Sequence, residues 1–332
     1  MRRNRLDLCC LSLVLLLAAS ACAGLAAGAQ DDEGNSGDSG TAADARGATA
    51  RAEPTPDPTA EPLRVEDLLG SDGRFTVLVL GSDQREGIIG TRTDAIIVAS
   101  VNPTSGRVAM ASLPRDTVNV PIAPGESYQD RINGLFWEHE RRLGKPKPAL
   151  KQLKSELAYA FGTEIDYYVL VEFDGLVRLV NSIGGLDVTL KESLVDPTMH
   201  IGKKGLRLKA GKRELDGRKV LAFSRSRHSD SDYDRSRRQH QVLAAAASKV
   251  RKRGVDQLPG LLEVARKKIV TDLPLRAAPA LLELAAGADL DKVKSVVLEP
   301  GRFARSLAGT YTITPRVAEV QKMFDRVFKP VD

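Results

Sequence analysis

Four polar clusters in this 332-residue chain carry the residue types that phosphate chemistry uses. The first, "LGSDQR" (80–85), sets Gly81, Ser82, Asp83 and Arg85 directly behind a short apolar run. The second, "TRTDAII" (91–97), places Arg92 and Asp94 two apart, so both point to one face of an extended segment. The third, "SLPRDTVNV" (112–120), joins Arg115 to Asp116 behind a proline. The fourth, "RSRHSDSDYDRSRRQHQV" (225–242), spaces Arg225 and Arg227 by two and then sets Arg235, Arg238 and Gln239 at helical intervals behind Asp232. Arginine's planar fork grips phosphate oxygens in pairs. Two carboxylates beside a phosphate are a usual seat for Mg²⁺, which prefers oxygen and keeps several waters. The four clusters together read as a pyrophosphate-plus-Mg²⁺ site.

Each of the first three has a plainer reading: a local Asx turn at Asp83, a structural salt bridge at Arg92 and Asp94, a charged turn at Arg115. The fourth is more specific. Arg235, Arg238 and Gln239 share a helical stripe with Val242 and Ala246, and that stripe is the core-facing one. A guanidinium carried inward needs an anionic partner. Residues 200–253 hold seventeen Lys or Arg against five Asp or Glu, which also favours an anionic partner.

Other chemistries lack their residues. There is no GxxxxGK[ST] phosphate loop, no GxSxG elbow and no HExxH. The histidines at 139, 200, 228 and 240 show no ligand spacing, and His228 and His240 are expected on exposed helix or loop surface. Trp137 is expected to pack, with a slot for a lipid tail as the sharper alternative. All three cysteines, Cys9, Cys10 and Cys22, precede residue 30, so the rest of the chain has no disulfide or thiolate chemistry.

These clusters must be positioned by a fold, and the apolar pattern indicates one. Apolar runs at 74–81, 93–101, 107–113, 166–173 and 292–299 read as strands, the second and third as a hairpin. Helical spacing marks 148–161, a short helix after Asp174, segments near 214–223 and 234–252, two more before residue 292, and 315–328. Strands separated by helices predict an α/β fold, a mixed β-sheet with helices on both faces, in a single globular domain over 63–332. In such sheets ligands bind beyond strand ends, where three of the four clusters fall.

The amino-terminal residues 1–30 carry Arg2, Arg3 and Arg5 before an uncharged stretch at 8–29. It reads as a membrane anchor, a cleavable signal peptide or a lipoprotein signal ending at Cys22, and each exports the remainder of the chain. Residues 31–62 hold eight acids, two arginines and no large apolar side chain, the composition of a disordered linker.

The succession "LGSDQR", "TRTDAIIVASVNPTSGRVAMASLPRD", "INGLF", "IDYYVLVEFDGLVRLVNSIGGLDV" and "LDGRKVLAFSRSRHSDSDYDRSRRQ" resembles the LytR-CpsA-Psr family of cell-wall ligases over about 74–245. The resemblance implies a phosphotransferase that moves a glycopolymer from a polyprenyl-pyrophosphate carrier to peptidoglycan through a phosphodiester, with room for pyrophosphatase side activity. It implies Asp83 and Asp94 as Mg²⁺ carboxylates and Arg85, Arg92, Arg115, Arg225, Arg227, Arg235, Arg238 and Gln239 as the pyrophosphate-binding residues. Asp94 and Arg115 become the catalytic residues, Asp232 orients the first helix arginine, and Arg85 orients Asp83. The loop after "INGLF" departs from the family in lacking its aromatic and glycine pair. The carrier also calls for an apolar groove between sheet and helices, and for a membrane and cell wall on the same side as the domain. Two other classes compete: a non-catalytic module holding anionic lipid or wall polymer, and a nucleic-acid-binding regulator. The regulator conflicts with export, so nucleic acid is not an expected partner.

Overall fold

The computed structural model describes residues 61–83, 92–199, 201, 204–228, 231–253 and 269–328. The expected anchor, nearly all of the linker, Arg85, His200 and the segment 254–268 lie outside the described residues. Among the described residues no helix is long and apolar enough to cross a membrane.

The chain order is β1 (Phe75–Ser82), β2 (Thr93–Val101), β3 (Arg107–Ser112), β4 (Val120–Ala123), β5 (Glu126–Tyr128), α1 (Leu135–Leu143), α2 (Pro146–Phe161), β6 (Tyr167–Glu172) and α3 (Phe173–Ser182). Next come β7 (Leu186–Leu190), β8 (Leu194–Asp196), β9 (Leu206–Leu208), β10 (Gly211–Leu215), α4 (Gly217–Arg225) and α5 (Asp232–Arg253). The chain closes with β11 (Ile269–Thr271), α6 (Ala278–Gly287), β12 (Asp289–Val297), β13 (Ala304–Ser306), β14 (Ile313–Pro315) and α7 (Val317–Phe328). Six strands form the central sheet in the order β11-β6-β1-β2-β3-β12. β1 runs parallel to β6 and antiparallel to β2, so the sheet is mixed.

Side chains alternate across a strand, and here that alternation divides one apolar run between two cores. Phe75, Val77 and Val79 of β1 pack with Val180 of α3, Phe223 of α4 and Val242 of α5. Leu78 and Leu80 pack on the other face with Leu153 of α2, Phe136 of α1 and Phe324 of α7. The predicted α/β architecture with helices on both faces is what forms. The apolar positions of α2, Leu150, Leu153 and Leu157, are wholly buried. Each such side chain stabilises by about 1.5–3 kcal/mol.

Two local features aim the polar clusters. Opposite β1 the register jumps from Gly81↔Ala95 to Ser82↔Thr93, which leaves Asp94 as the extra residue of a β-bulge. At the start of α4, Gly217 lies so close to α3 that a Cβ would stand 2.2 Å from the Val177 carbonyl oxygen. Only glycine permits that approach, and Asp216 caps the helix by accepting from the Lys219 N–H at 2.9 Å. α4 is thereby fixed against α3, and its last residue is Arg225.

Candidate active site

A cavity of about 380 Å³ lies between the sheet and helices α3 and α5. One part of its wall is apolar, formed by Val79, Ile97, Val171, Leu176, Val242 and Leu243. The other part is polar, formed by Asp94, Arg115, Arg225, Arg227, Arg235 and Gln239. The third cluster and the fourth therefore meet at one end of an apolar chamber, together with Asp94 from the second. An apolar groove between the sheet and the helices is therefore present.

Arg115 stands at the middle of the polar end. Its Nη1 donates to Asp94 Oδ1 at 2.7 Å, and its Nε lies 3.5 Å from Asp116 Oδ2 and 3.9 Å from Asp232 Oδ1. Burial works to lower its pKa, but Asp94 first, then Asp116 and Asp232, outweigh it and raise the value. Arg235 is 3% exposed and forks onto Asp232, with Nη1 and Nη2 each 2.9 Å from a carboxylate oxygen. Burial pulls its pKa down to about 10, against the raising effect of Asp232, so it remains a cation at neutral pH. Arg227 reaches Asp232 at 3.3 Å, which makes Asp232 a hub for two arginines and a neighbour of a third. Arg225 lies 4.4 Å over the Phe173 ring and 3.3 Å from Asp83 Oδ2.

Two of these guanidiniums retain a polar atom with no bond. Arg115 Nε and Arg235 Nε are buried and have no hydrogen-bond acceptor. A buried unsatisfied donor costs about 1–3 kcal/mol, a cost the site carries in this arrangement. Among the described residues the guanidiniums of Arg115, Arg225, Arg227 and Arg235 pair with the carboxylates of Asp83, Asp94, Asp116 and Asp232, and Asp196 also lines the cavity.

Three expectations are corrected. Arg92 does not share a face with Asp94: the bulge breaks the strand alternation, so Asp94 turns into the cavity while Arg92 is exposed. The Arg92 carbonyl accepts from the Asp83 N–H at 3.3 Å. Arg238 lies on the buried stripe as expected but is absent from the cavity wall. Its Nε donates to the Phe223 carbonyl at 2.9 Å and its Nη2 to the Ser226 carbonyl, so it braces the end of α4 from behind. His228 is exposed at the cavity edge, but His240 is only 3% exposed.

His240 bonds Ser112 of β3 at 2.6 Å through Nε2 and Ser295 of β12 through Nδ1, pinning α5 to the sheet. Burial first, then Arg237, lowers its pKa to about 4. The folded chain thus holds this ring neutral while the unfolded chain protonates it near pH 6.5. Stability from this group is complete above pH 6.5 and is lost as the pH falls towards 4, by about 3 kcal/mol in all. Asp166, raised to about 7 mainly by burial, contributes with the opposite sign over the same range. Denaturant titrations at pH 7.5 and pH 4.5 are expected to show a smaller acid-side loss in His240→Gln than in the unmodified chain. Equal losses would contradict a neutral buried imidazole.

Asp196 is invisible in the spacing, since it stands alone in a short hairpin. It is 1% exposed and lines the cavity. Asp83 and Asp94 stand at the adjoining ends of β1 and β2, and among the described residues no group of three or more His, Cys, Asp or Glu is placed to hold a metal.

Comparison with known proteins agrees with this architecture. The polyisoprenyl-teichoic acid–peptidoglycan teichoic acid transferase TagU of Enterococcus faecalis is 33% identical over 180 residues, which are 53% of this chain and 54% of that protein. The chain spans about half to two thirds of the length of the curated relatives it matches. The crystal structure of Bacillus subtilis TagV matches with a TM-score of 0.61 and 22% identity, covering 79% of this chain and all of that one. A structure of TagT bound to LI-WTA matches with a TM-score of 0.57 and 25% identity, covering 81% of this chain and 95% of that one. A family model described as the LytR_cpsA_psr family matches residues 38–329. With the match covering most of its length, the chain belongs to the LytR_cpsA_psr family.

Proposed function

We propose that this domain is a phosphotransferase that moves a glycopolymer from a polyprenyl-pyrophosphate carrier to a hydroxyl of peptidoglycan, on the outer side of the membrane. The observation that carries this reading is the two-part cavity, arginines at one end and an apolar chamber at the other. A pyrophosphate on an isoprenoid tail has the same two parts. The relatives named as teichoic acid transferases support the same class of reaction.

The acceptor hydroxyl attacks the phosphorus that bears the donor sugar. A new P–O bond forms, the bridging P–O bond breaks, and polyprenyl phosphate leaves. Arg115, Arg225, Arg227 and Arg235 line the polar end and would face the phosphoryl oxygens. Positioning and charge neutralisation supply most of such a reaction's acceleration. The hydroxyl proton passes to a carboxylate, for which Asp94 in the cavity wall is assigned. Water in the acceptor's place gives slow pyrophosphate hydrolysis as a side reaction.

Charge counting favours a divalent cation. Among the described residues Asp196 adds a fifth carboxylate beside those paired with the four guanidiniums, so a doubly charged pyrophosphate diester calls for further positive charge. Asp83 and Asp94 would hold Mg²⁺ with phosphate oxygens and water completing the shell, a donor set that suits this ion. Bound there, it would neutralise charge on the phosphates.

The full chain, given carrier-linked glycopolymer and peptidoglycan, is expected to release polyprenyl phosphate and to lose activity in EDTA, with Mg²⁺ restoring it. Carrier binding without product, insensitive to EDTA, would instead support the non-catalytic module.

A further inference from the structure

Asp196 is a buried carboxylate in the cavity wall to which the transfer reaction assigns no part. Its Oδ1 accepts from the Thr198 N–H at 3.0 Å and the Thr198 hydroxyl at 2.6 Å. Its Oδ2 accepts from the Ser226 hydroxyl at 2.7 Å, and the Arg227 backbone N–H donates to the carboxylate as well. Burial opposes ionisation, but these bonds prevail and hold the carboxyl at about 2, so it is a carboxylate at any working pH.

The bonds to Ser226 and Arg227 reach another element. Ser226 is wholly buried and lies between Arg225 and Arg227, both of which line the cavity. Asp196 grips its hydroxyl, while Arg238 of α5 grips its carbonyl from the other direction. The turn between α4 and α5 is therefore clamped at its centre, with an arginine projecting on each side. Arginine side chains are long, so the backbone from which they start decides where their guanidinium groups can meet.

We propose, on the strength of the anion-site reading, that Asp196 is a positioning residue of the active site: it fixes the Ser226 turn and so sets the approach of Arg225 and Arg227 to the phosphates. A purely structural role is distinct from this. The bonds to Thr198 form a local turn that steadies the β8–β9 hairpin by itself, whereas the bonds to Ser226 and Arg227 act on the arginines.

Ser226→Ala removes the hydroxyl grip and spares the Thr198 turn. Asp196→Asn keeps the shape and removes the charge. In ligand-free full-length chain labelled with ¹⁵N, both variants are expected to shift and broaden the Nε–H signals of Arg225 and Arg227. Both are expected to weaken binding of inorganic pyrophosphate with Mg²⁺ by roughly 10-fold, the cost of one lost charge-assisted contact. The double variant should bind no worse than Asp196→Asn, because both changes release the same clamp. Unchanged arginine signals in both single variants, or unchanged pyrophosphate affinity alongside a lower melting temperature, would overturn the assignment. Failure of the unmodified chain to bind pyrophosphate would instead count against the anion site, and the ligand-free arginine signals would still decide whether Asp196 holds the turn.

Discussion

Arg115→Ala is expected to reduce glycopolymer transfer by about 10³-fold, an effect of about 4 kcal/mol on the barrier. Arg115 lines the cavity and lies within ion-pair distance of Asp94, Asp116 and Asp232. Its removal takes away an anion donor and leaves three carboxylates around one gap. The remaining negative charge would then repel the phosphates of the proposed carrier. Arg115→Lys keeps the charge but offers a point donor in place of a fork, so it should recover only part of the loss. Asp94→Ala is expected to abolish transfer as well, because Asp94 holds Arg115 at 2.7 Å and faces the cavity. Circular dichroism and a denaturant titration must show both variants folded. Full transfer in folded Arg115→Ala and Asp94→Ala chains would contradict the assigned roles.

The second large effect concerns the apolar chamber. Leu176 of α3 lines it and is only partly buried, so a bulkier side chain there can grow into the void. Leu176→Trp is expected to weaken binding of a long-chain polyprenyl carrier by about 100-fold. This corresponds to three or four methylene groups displaced at about 0.8 kcal/mol each. A carrier with a tail too short to reach α3 should bind the variant and the unmodified chain alike. Chain-length dependence is the test. An equal loss for both carriers would place the tail elsewhere, and no loss for either would remove the chamber from the reaction.

Much of this arrangement is legible in the residues themselves. The strands at 75–82 and 93–101 are continuous apolar runs, and such runs form strands buried on both faces. The stripe joining Arg235 to Val242 and Ala246 places an arginine inside the fold, and Arg235, Val242 and Ala246 are indeed buried. The features that escape depend on neighbours distant in sequence. The bulge that separates Arg92 from Asp94 arises in pairing with β1, and no local pattern marks it. Arg238 shares the inward stripe, but the carbonyls that receive it belong to the end of α4 and the turn beyond, fifteen and twelve residues before it. His240 looks like a surface residue because its partners, Ser112 and Ser295, come from two strands of the sheet. The short hairpins β4–β5 and β8–β9 have strands of only three or four residues, too brief to announce themselves, and Asp196 is hidden in one of them.

Phosphorus fate tests the central claim most directly. The carrier-linked glycopolymer would be labelled with ³²P at the phosphorus next to the sugar and incubated with the full chain, Mg²⁺ and peptidoglycan. Transfer to a wall hydroxyl requires the label to enter peptidoglycan in a phosphodiester, with one unlabelled polyprenyl phosphate released for each linkage. Label that stays with the lipid, or that appears only on free glycopolymer without entering peptidoglycan, would contradict it.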